Sequence, residues 1–507
     1  GGSGASHSIT ANRTRLFGGP RVLHLFLANR TAMEFSVCAV ALALLCSASA
    51  AALSCDGPGG VCAAEHDDLS ALQLRAGQHE LSGARDPYNY SDYREELDKI
   101  LYDLAHTKVF DQITGYVANT MQDSCRLTSS DSCPITNQSL FKPKKATKVY
   151  PSGETQCIDG SEFFFEVTVG NMEKLHIHFQ GGGACWDWLS YQVPACTTKA
   201  SENPPYGIFN LSNPLNPLKD YTVIVIQYCG GDMHAGNTEQ PWGKDGAMVK
   251  QVGYHNSDAA IRYALSQFPK LQNLVISGSS AGSLGVQYWS GKLIDLFADR
   301  NPDVAVIADS FLGVLWPPAE VQTSETWLMD KFKMCNPAVL TPAQLSKCNS
   351  GELLLQEMFV DTMRGHHDTR FSVVNSKADG TQILFEKGFE LTAEYNLQGF
   401  FMTPGQFYKS ASLMVVDYLE NSNLYAYFID GTQHTYLPGD WLYTASPDGY
   451  NITDGSPVLI DWLADFVSPS QQAARSVCSG PEKKVTALTP VGKNETNYCA
   501  EGLSNVQ

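Results

Sequence analysis

The sequence predicts an α/β protein with an α/β-hydrolase-like, mostly parallel sheet, helices on both faces and a helical insertion. From residue 146 onwards, short apolar or β-branched runs alternate with stretches of helical spacing, which is typical of a buried parallel sheet. One apolar run, at residues 274–276, leads into Gly278-Ser279-Ser280-Ala281-Gly282 and then into a helix-forming stretch. A G-x-S-x-G pattern between a strand and a helix indicates a serine exposed on a sharp turn.

Six runs have the composition of strands, and two stretches between them have that of helices. The strand-like runs are residues 175–180, 222–227, 273–277, 304–308, 371–375 and 424–429, and the helix-like stretches are 257–267 and 284–298. A long helical segment at 318–369 interrupts this alternation, and we predict that it forms a lid-like insertion. These elements place the α/β domain at residues 146–468.

The residues before this domain fall into three predicted segments. Residues 1–32 contain arginines but no acidic residue, and we expect them to be an upstream or non-native segment. Residues 33–50 form an apolar run that ends in Ala48-Ser49-Ala50, a pattern typical of a signal peptide with its cleavage site. The alternatives are a bipartite organelle leader and an uncleaved anchor. Residues 51–145 are predicted to be an N-terminal helical extension, and residues 469–507 a polar C-terminal tail.

Composition limits the partners and the compartment. The 35 basic and 53 acidic residues give a net charge of −18, which disfavours nucleic acid and anionic lipid as partners. Of 14 cysteines, Cys38 and Cys46 lie in the predicted leader, and the remaining even number suits disulfide bonds in an oxidising compartment. Five N-x-S/T sequons follow the leader, at Asn89, Asn137, Asn210, Asn451 and Asn494. We therefore predict a secreted, extracellular or cell-wall glycoprotein with no stable membrane insertion after signal cleavage; the alternative is an endomembrane or organelle lumen.

The residues at the predicted strand exits suit acyl transfer. A serine nucleophile needs a base, an orienting acid and donors for the oxyanion, and in an open α/β sheet these groups gather at the carboxyl ends of the strands. His434 follows the last strand, where the chain order serine, acid, histidine places the base. Asp379, after the 371–375 strand, is the preferred acid, and Asp309, directly after the 304–308 strand, is its rival.

A glycine run after the first of these strands is a candidate oxyanion loop. The amides of Gly182 and Gly183, together with that of Ala281, are predicted to bind the oxyanion. Trp186, Trp188 and His234 also follow strand ends and are interpreted as substrate-pocket residues. The sequence contains neither a C-x-x-C pair nor a His-rich spacing, and we predict no metal site and no cofactor.

Six short stretches resemble those of the pectin acetylesterase family. They are Phe-Gln-Gly-Gly-Gly-Ala-Cys-Trp at 179–186, Tyr-Cys-Gly-Gly-Asp at 228–232, Gly-Ser-Ser-Ala-Gly at 278–282, Ala-Asp-Ser at 308–310, Asn-Ser-x-x-Asp at 375–379 and Gly-x-x-His at 431–434. The resemblance covers residues 146–465, in the family's order. It implies Ser280 as nucleophile, Asp379 as acid and His434 as base, with no metal.

The resemblance and the residues together predict a secreted serine esterase that hydrolyses O-acetyl esters. The expected partner is an acetylated polysaccharide or another ester substrate. One alternative is a carboxylesterase (deacylase) for longer acyl chains, with acyl length set by the 318–369 insertion and by Trp186 or Trp188. The other is a non-catalytic secreted binding protein on a hydrolase scaffold.

Overall fold

A computed structural model describes the part of the chain that carries the predicted α/β domain. It covers residues 123–192, 195–312, 328–383, 385, 407–408, 410–411, 414–415, 423–447, 449, 458–468 and 476–477. The predicted leader and most of the N-terminal extension and of the C-terminal tail lie outside the described residues.

The centre of the domain is a mostly parallel sheet of nine strands. Along the sheet the order is β1 (Asp123–Arg126), β2 (Ala146–Tyr150), β3 (Phe165–Thr168), β5 (Tyr221–Ile226), β4 (Asn171–Phe179), β8 (Asn273–Ser279), β9 (Asp303–Asp309), β10 (Arg370–Ser376) and β11 (Leu424–Ile429). The strands from β5 to β11 in this order are all parallel. β3 is antiparallel to both of its neighbours, whereas β1 is parallel to β2. β6 (Thr238–Gln240) and β7 (Val249–Gln251) form a separate antiparallel ribbon.

Helices cover both faces of the sheet. They are α1 (Trp188–Gln192), α2 (Gly253–Gln267), α3 (Ala281–Phe297), α4 (Pro342–Asn349), α5 (Leu355–Gly365) and α6 (Leu459–Val467), with 3₁₀ turns at Gly207–Phe209, Lys244–Gly246, Ala298–Arg300 and Asp440–Tyr443. Neighbouring strand residues belong to different core clusters because successive side chains point to opposite faces. Ile276 packs with the α2 and α3 side, and Val275 packs with the α6 side. The predicted fold class is confirmed.

All six predicted strands are present, and their ends shift by no more than four residues. The first, predicted from residue 175, begins at Asn171, and the last matches Leu424–Ile429 at both ends. Within the described residues the sheet also includes β1, which precedes the predicted boundary at residue 146; the boundary itself stays a prediction. β1 pairs with β2 in parallel register. At the other end, Val477 of the predicted tail pairs with Tyr427 of β11.

Disulfide bonds, predicted from the cysteine content, are present. Among the residues that the structure describes, four pairs are formed: Cys125–Cys133, Cys157–Cys229, Cys185–Cys196 and Cys335–Cys348. The last pair lies within the predicted insertion and joins Cys335 to Cys348 of α4. Within the described ranges, no helix is long and apolar enough to cross a membrane.

Candidate active site

Ser280 occupies a sharp turn between β8 and α3. Its backbone angles, φ 57° and ψ −125°, are strained for a residue with a side chain, and such strain is concentrated at functional sites. The two flanking glycines are required by close backbone approaches. A Cβ at Gly278 would lie 2.1 Å from the carbonyl oxygen of Gly282, and a Cβ at Gly282 would lie 1.9 Å from that of Phe179. The G-x-S-x-G pattern therefore forms the sharp strand-to-helix turn that the sequence predicted.

The helix after this turn presents backbone donors. Ala281 is the first residue of α3, and the first four N–H groups of a helix have no partner within it. These N–H groups and the helix dipole favour negative charge beside Ser280. Hydrogen bonds from Ser280 N to the Asp309 oxygen (2.9 Å) and from Ser283 N to the Ser280 oxygen (2.8 Å) fix the turn itself.

Asp379 and His434 lie in contact. His434 Nδ1 is 3.0 Å from Oδ1 and 2.9 Å from Oδ2 of Asp379, and the carboxylate is fully buried. The same carboxylate accepts hydrogen bonds from Thr381 N, Gln382 N and Gln382 Nε2 at 3.0, 3.0 and 2.8 Å. Because a carboxylate only accepts, Nδ1 of His434 carries the proton and Nε2 exposes its lone pair. Among the residues that the structure describes, this buried Nε2 has no hydrogen-bond partner.

The glycine run after β4 approaches Ser280 directly. A Cβ at Gly181, a residue that the sequence analysis did not select, would lie 2.9 Å from the Ser280 Cβ. Thr197 N donates to the Gly182 carbonyl at 2.7 Å. Since the peptide is planar and trans, the Gly183 N–H points the opposite way, away from Thr197. Gly183 has φ 73°, and a Cβ there would lie 2.1 Å from the Ala195 oxygen, so only glycine fits.

A cavity opens beside Ser280, and its walls are almost entirely apolar. The cavity volume is about 50 Å³. Gly183 and Ala281, two of the predicted oxyanion donors, also line it. The other lining residues are Ala184, Met233, Leu284, Phe311, Leu328, Met329, Met334, Leu355, Thr381 and Phe385. Four of them, Leu328, Met329, Met334 and Leu355, come from the segment predicted to be a lid-like insertion.

The three residues predicted to line the substrate pocket lie outside this lining, which corrects that interpretation. Trp186 is fully buried, and its ring packs 6.2 Å from that of Phe385, so it supports the wall from behind. Trp188, at the start of α1, is 40% exposed on the surface.

His234 also lies behind the cavity, and its neighbour Met233 takes the place at the wall. Its Nε2 donates to the Gln180 carbonyl at 2.8 Å, directly before the glycine run. Burial lowers the pKa of His234 to about 4, so this histidine is neutral at ordinary pH and is suited to hold the loop rather than to contact substrate.

Asp309, the rival acid, has a different set of partners from Asp379. Its buried carboxylate accepts hydrogen bonds from Ser279 Oγ, Ser310 Oγ and the backbone N–H groups of Tyr436 and Leu437. Burial raises the pKa of Asp309, and these hydrogen bonds oppose that rise.

A possible metal-ligand group lies away from the serine site. Within the described ranges, one cluster has the donor spacing of a metal site, namely Cys125, Asp131 and Cys133. The two cysteines form a disulfide bond, so their sulfur atoms are not thiolate ligands. The predicted absence of metal and cofactor stays a prediction.

A mostly parallel sheet with a strained serine at a strand-to-helix turn defines the class of α/β-hydrolase-like proteins. The comparisons then give the family. The model of the pectinacetylesterase family matches residues 139–392, about half of the chain, and the chain belongs to this family. Membership makes the protein a carboxylic ester hydrolase.

The comparison with solved structures also gives matches. The crystal structure of the Wnt deacylase Notum from Drosophila is similar, with 16% sequence identity and a TM-score of 0.46. The match covers 66% of this chain and 96% of the Notum chain. No curated protein sequence matches this chain.

Proposed function

We propose that the protein is a serine esterase in which Ser280 is the nucleophile, His434 the base and Asp379 the orienting acid. One observation carries the proposal. His434 is held through Nδ1 by a buried carboxylate, while its Nε2 remains unpaired among the described residues. The lone pair of Nε2 is therefore available to accept a proton. The Ser280 hydroxyl is not hydrogen-bonded to Nε2 in this structure, so the proposed transfer requires the hydroxyl to come within hydrogen-bond reach when the ester binds.

The reaction proceeds through an acyl-enzyme. Ser280 Oγ attacks the ester carbonyl carbon as its proton passes to His434 Nε2. The oxyanion accepts hydrogen bonds from the amides of Gly183, Ala281 and Gly182. The bond to the alcohol then breaks as His434 returns the proton to the leaving oxygen. Water, activated by the same histidine, attacks the acyl-enzyme and releases the acid.

The size of the cavity favours a short acyl group. The cavity volume is about 50 Å³, and a cavity needs about 10–15 Å³ to hold one water molecule. The cavity therefore accommodates roughly three to five heavy atoms, which suits an acetyl group. We propose an O-acetyl ester of a polysaccharide as the substrate. The net charge of −18 disfavours a polyanionic pectin relative to a neutral acetylated glycan.

The lining of the cavity supports a second candidate, a deacylase for longer chains. Met233, Met329 and Met334 line the wall, and methionine side chains adapt readily to the shape of a ligand. If these side chains move aside, a longer acyl chain can bind along the mostly apolar wall of the cavity.

Hydrolysis of p-nitrophenyl esters from acetyl to palmitoyl separates these candidates, with Ser280→Ala as control. The acetylesterase proposal predicts the highest kcat/KM for acetyl to butyryl esters and release of acetate from acetylated glycans. A maximum at octanoyl or longer esters supports the deacylase instead. The absence of Ser280-dependent hydrolysis from every ester, together with no labelling of Ser280 by a fluorophosphonate probe, leaves the binding-protein alternative and contradicts catalysis.

We further propose that the protein is secreted, as supported by the four disulfide bonds and the apolar segment at residues 33–50. Expression of the chain from Met33 in eukaryotic cells should release protein into the medium with Ala51 as its first residue. Retention of the uncleaved chain in the membrane fraction contradicts secretion.

A further inference from the structure

Asp309 lies at the carboxyl end of β9, between the strand that carries Ser280 and the strand that leads to Asp379. Its backbone oxygen accepts a hydrogen bond from Ser280 N at 2.9 Å. Its carboxylate accepts one from the hydroxyl of Ser279 at 2.8 Å. The residue is therefore attached to the nucleophile turn through both its main chain and its side chain.

The same carboxylate also holds the loop that carries His434. Tyr436 N lies 2.9 Å from Oδ2 and 3.1 Å from Oδ1, and Leu437 N lies 2.8 Å from Oδ2. These amides are two and three residues after the histidine. Thr435, between His434 and Tyr436, has φ 62°, a strained conformation that persists only where its surroundings hold it. The loop is held by Asp379 on one side of Thr435 and by Asp309 on the other.

The buried carboxylate of Asp309 is stable only because hydrogen bonds offset the cost of removing it from water. An ionised group removed from water is costly unless hydrogen bonds satisfy it, and Asp309 is fully buried. Two hydroxyls and two backbone amides provide those bonds. A side chain with so many partners on three chain segments fixes their relative positions, because any displacement leaves buried polar groups unpaired.

We infer that Asp309 is a positioning residue, which sets the His434 loop against the Ser280 turn and takes no part in orienting the imidazole through Nδ1. The inference rests on the proposed function and adds a second aspartate with a separate role. Asp379 determines which nitrogen of His434 is protonated. Asp309 determines where the histidine stands relative to the serine.

Different substitutions at Asp309 distinguish this role from that of a catalytic acid. In Asp309→Asn, the amide oxygen can occupy the Oδ2 position and keep the bonds from Tyr436 and Leu437. The amide NH₂ then takes the Oδ1 position and faces the Ser310 hydroxyl, which can rotate to accept. It also lies 3.1 Å from Tyr436 N, which loses its longer bond and keeps the 2.9 Å bond to the oxygen. We expect kcat within about tenfold of the wild-type value. In Asp309→Ala all these bonds are lost, and we expect kcat to fall about a hundredfold with KM within about threefold, since a displacement of about 1 Å costs on that order.

The experiment measures kcat and KM for p-nitrophenyl acetate, the rate of fluorophosphonate labelling of Ser280, and the melting temperature. Asp303→Ala is the matched control. Asp303 lies at the other end of the same strand and pairs with Arg370 at 2.6 Å, so its loss should leave kcat unchanged. If Asp309→Ala does not fold, Ser279→Ala removes one bond to the carboxylate, and a three- to tenfold fall in kcat without a change in KM is expected.

Three outcomes overturn the inference. In the first, Asp309→Ala, or Ser279→Ala where Asp309→Ala is unfolded, keeps the wild-type kcat. In the second, Asp309→Asn loses as much activity as Asp379→Asn, which identifies Asp309 as the acid. In the third, the wild type shows neither ester hydrolysis nor labelling of Ser280; this result contradicts the proposed function itself, and the inference fails with it.

Discussion

Replacement of Asp379 by asparagine tests the proposed triad most directly, because it changes the hydrogen-bond chemistry at Nδ1 of His434 and leaves the volume unchanged. The backbone N–H groups of Thr381 and Gln382 both donate to Oδ1, at 3.0 Å. Backbone donors cannot reverse their polarity, so the asparagine oxygen must take the Oδ1 position. The NH₂ group is then placed at the Oδ2 position, which lies 2.9 Å from His434 Nδ1.

This orientation inverts the tautomer of the histidine. Nδ1 then has the NH₂ group at 2.9 Å and the asparagine oxygen at 3.0 Å. The nearer NH₂ group repels the Nδ1 proton and donates to a bare Nδ1, which favours the tautomer with its proton on Nε2. A protonated Nε2 cannot accept the proton of Ser280. The same inversion in a Ser-His-Asp enzyme lowers kcat by about 10⁴, which corresponds to about 5 kcal/mol of transition-state stabilisation. We expect a fall of that order here, with KM nearly unchanged because the proposed reaction gives Asp379 no contact with the ester.

The assay is the hydrolysis of p-nitrophenyl acetate from pH 5 to 9, with thermal unfolding measured on the same samples. Asp303→Asn is the control. Asp303 lies at the opposite end of β9 from Asp309, and this variant should retain full activity. A kcat for Asp379→Asn within tenfold of the wild-type value, at an unchanged melting temperature, would refute the assignment of Asp379 as the orienting acid.

Two further substitutions test the packing and a buried charge. In Gly282→Ala the new Cβ meets the Phe179 carbonyl at 1.9 Å, so we expect a loss of activity and of about 3 kcal/mol or more of unfolding free energy. Gly365→Ala, with no atom within 4 Å, should change neither, and equal melting temperatures for the two variants would contradict the steric argument. Burial raises the pKa of Asp232 to about 6; the native state therefore binds more protons than the unfolded chain, and stability falls as pH rises from about 4 to about 6. Asp232→Asn should match the wild type below about pH 4 and exceed its unfolding free energy by about 3 kcal/mol above pH 6, and a difference independent of pH in urea unfolding would refute this.

The six parallel strands β4, β5, β8, β9, β10 and β11 were accessible to prediction because they are largely buried and carry nearly continuous apolar runs. β1 was not, since the sequence Asp-Ser-Cys-Arg has no apolar alternation and the strand lies at the edge of the sheet. Its pairing with β2 and its disulfide bond, Cys125–Cys133, hold it in place. Both are contacts with other parts of the chain, which local composition does not reveal.

The candidate site also contains residues that the sequence predicts and residues that it does not. Ser280, Asp379 and His434 could be selected because each follows a strand, and the parallel sheet brings strand ends together. For the cavity wall, the 318–369 segment was expected to contribute, and Leu355 comes from it. The individual wall residues could not be predicted, since they reach the cavity from segments that are distant in sequence. The tryptophans were chosen because they are aromatic and follow the glycine run, but neither feature indicates whether a side chain faces a cavity or the core.

The two aspartates show what decides a role when residue type and position are equal. Asp309 and Asp379 both follow a strand of the same sheet and are both buried. Their partners differ. His434 Nδ1 contacts the carboxylate of Asp379, whereas the donors to the Asp309 carboxylate within the described ranges are two hydroxyls and two backbone amides, those of Ser279, Ser310, Tyr436 and Leu437. An imidazole exchanges a proton during the proposed reaction, and backbone amides do not. A carboxylate bound to the imidazole therefore acts on the chemistry, and one bound to amides acts on the geometry, so asparagine should be damaging at position 379 and tolerated at position 309.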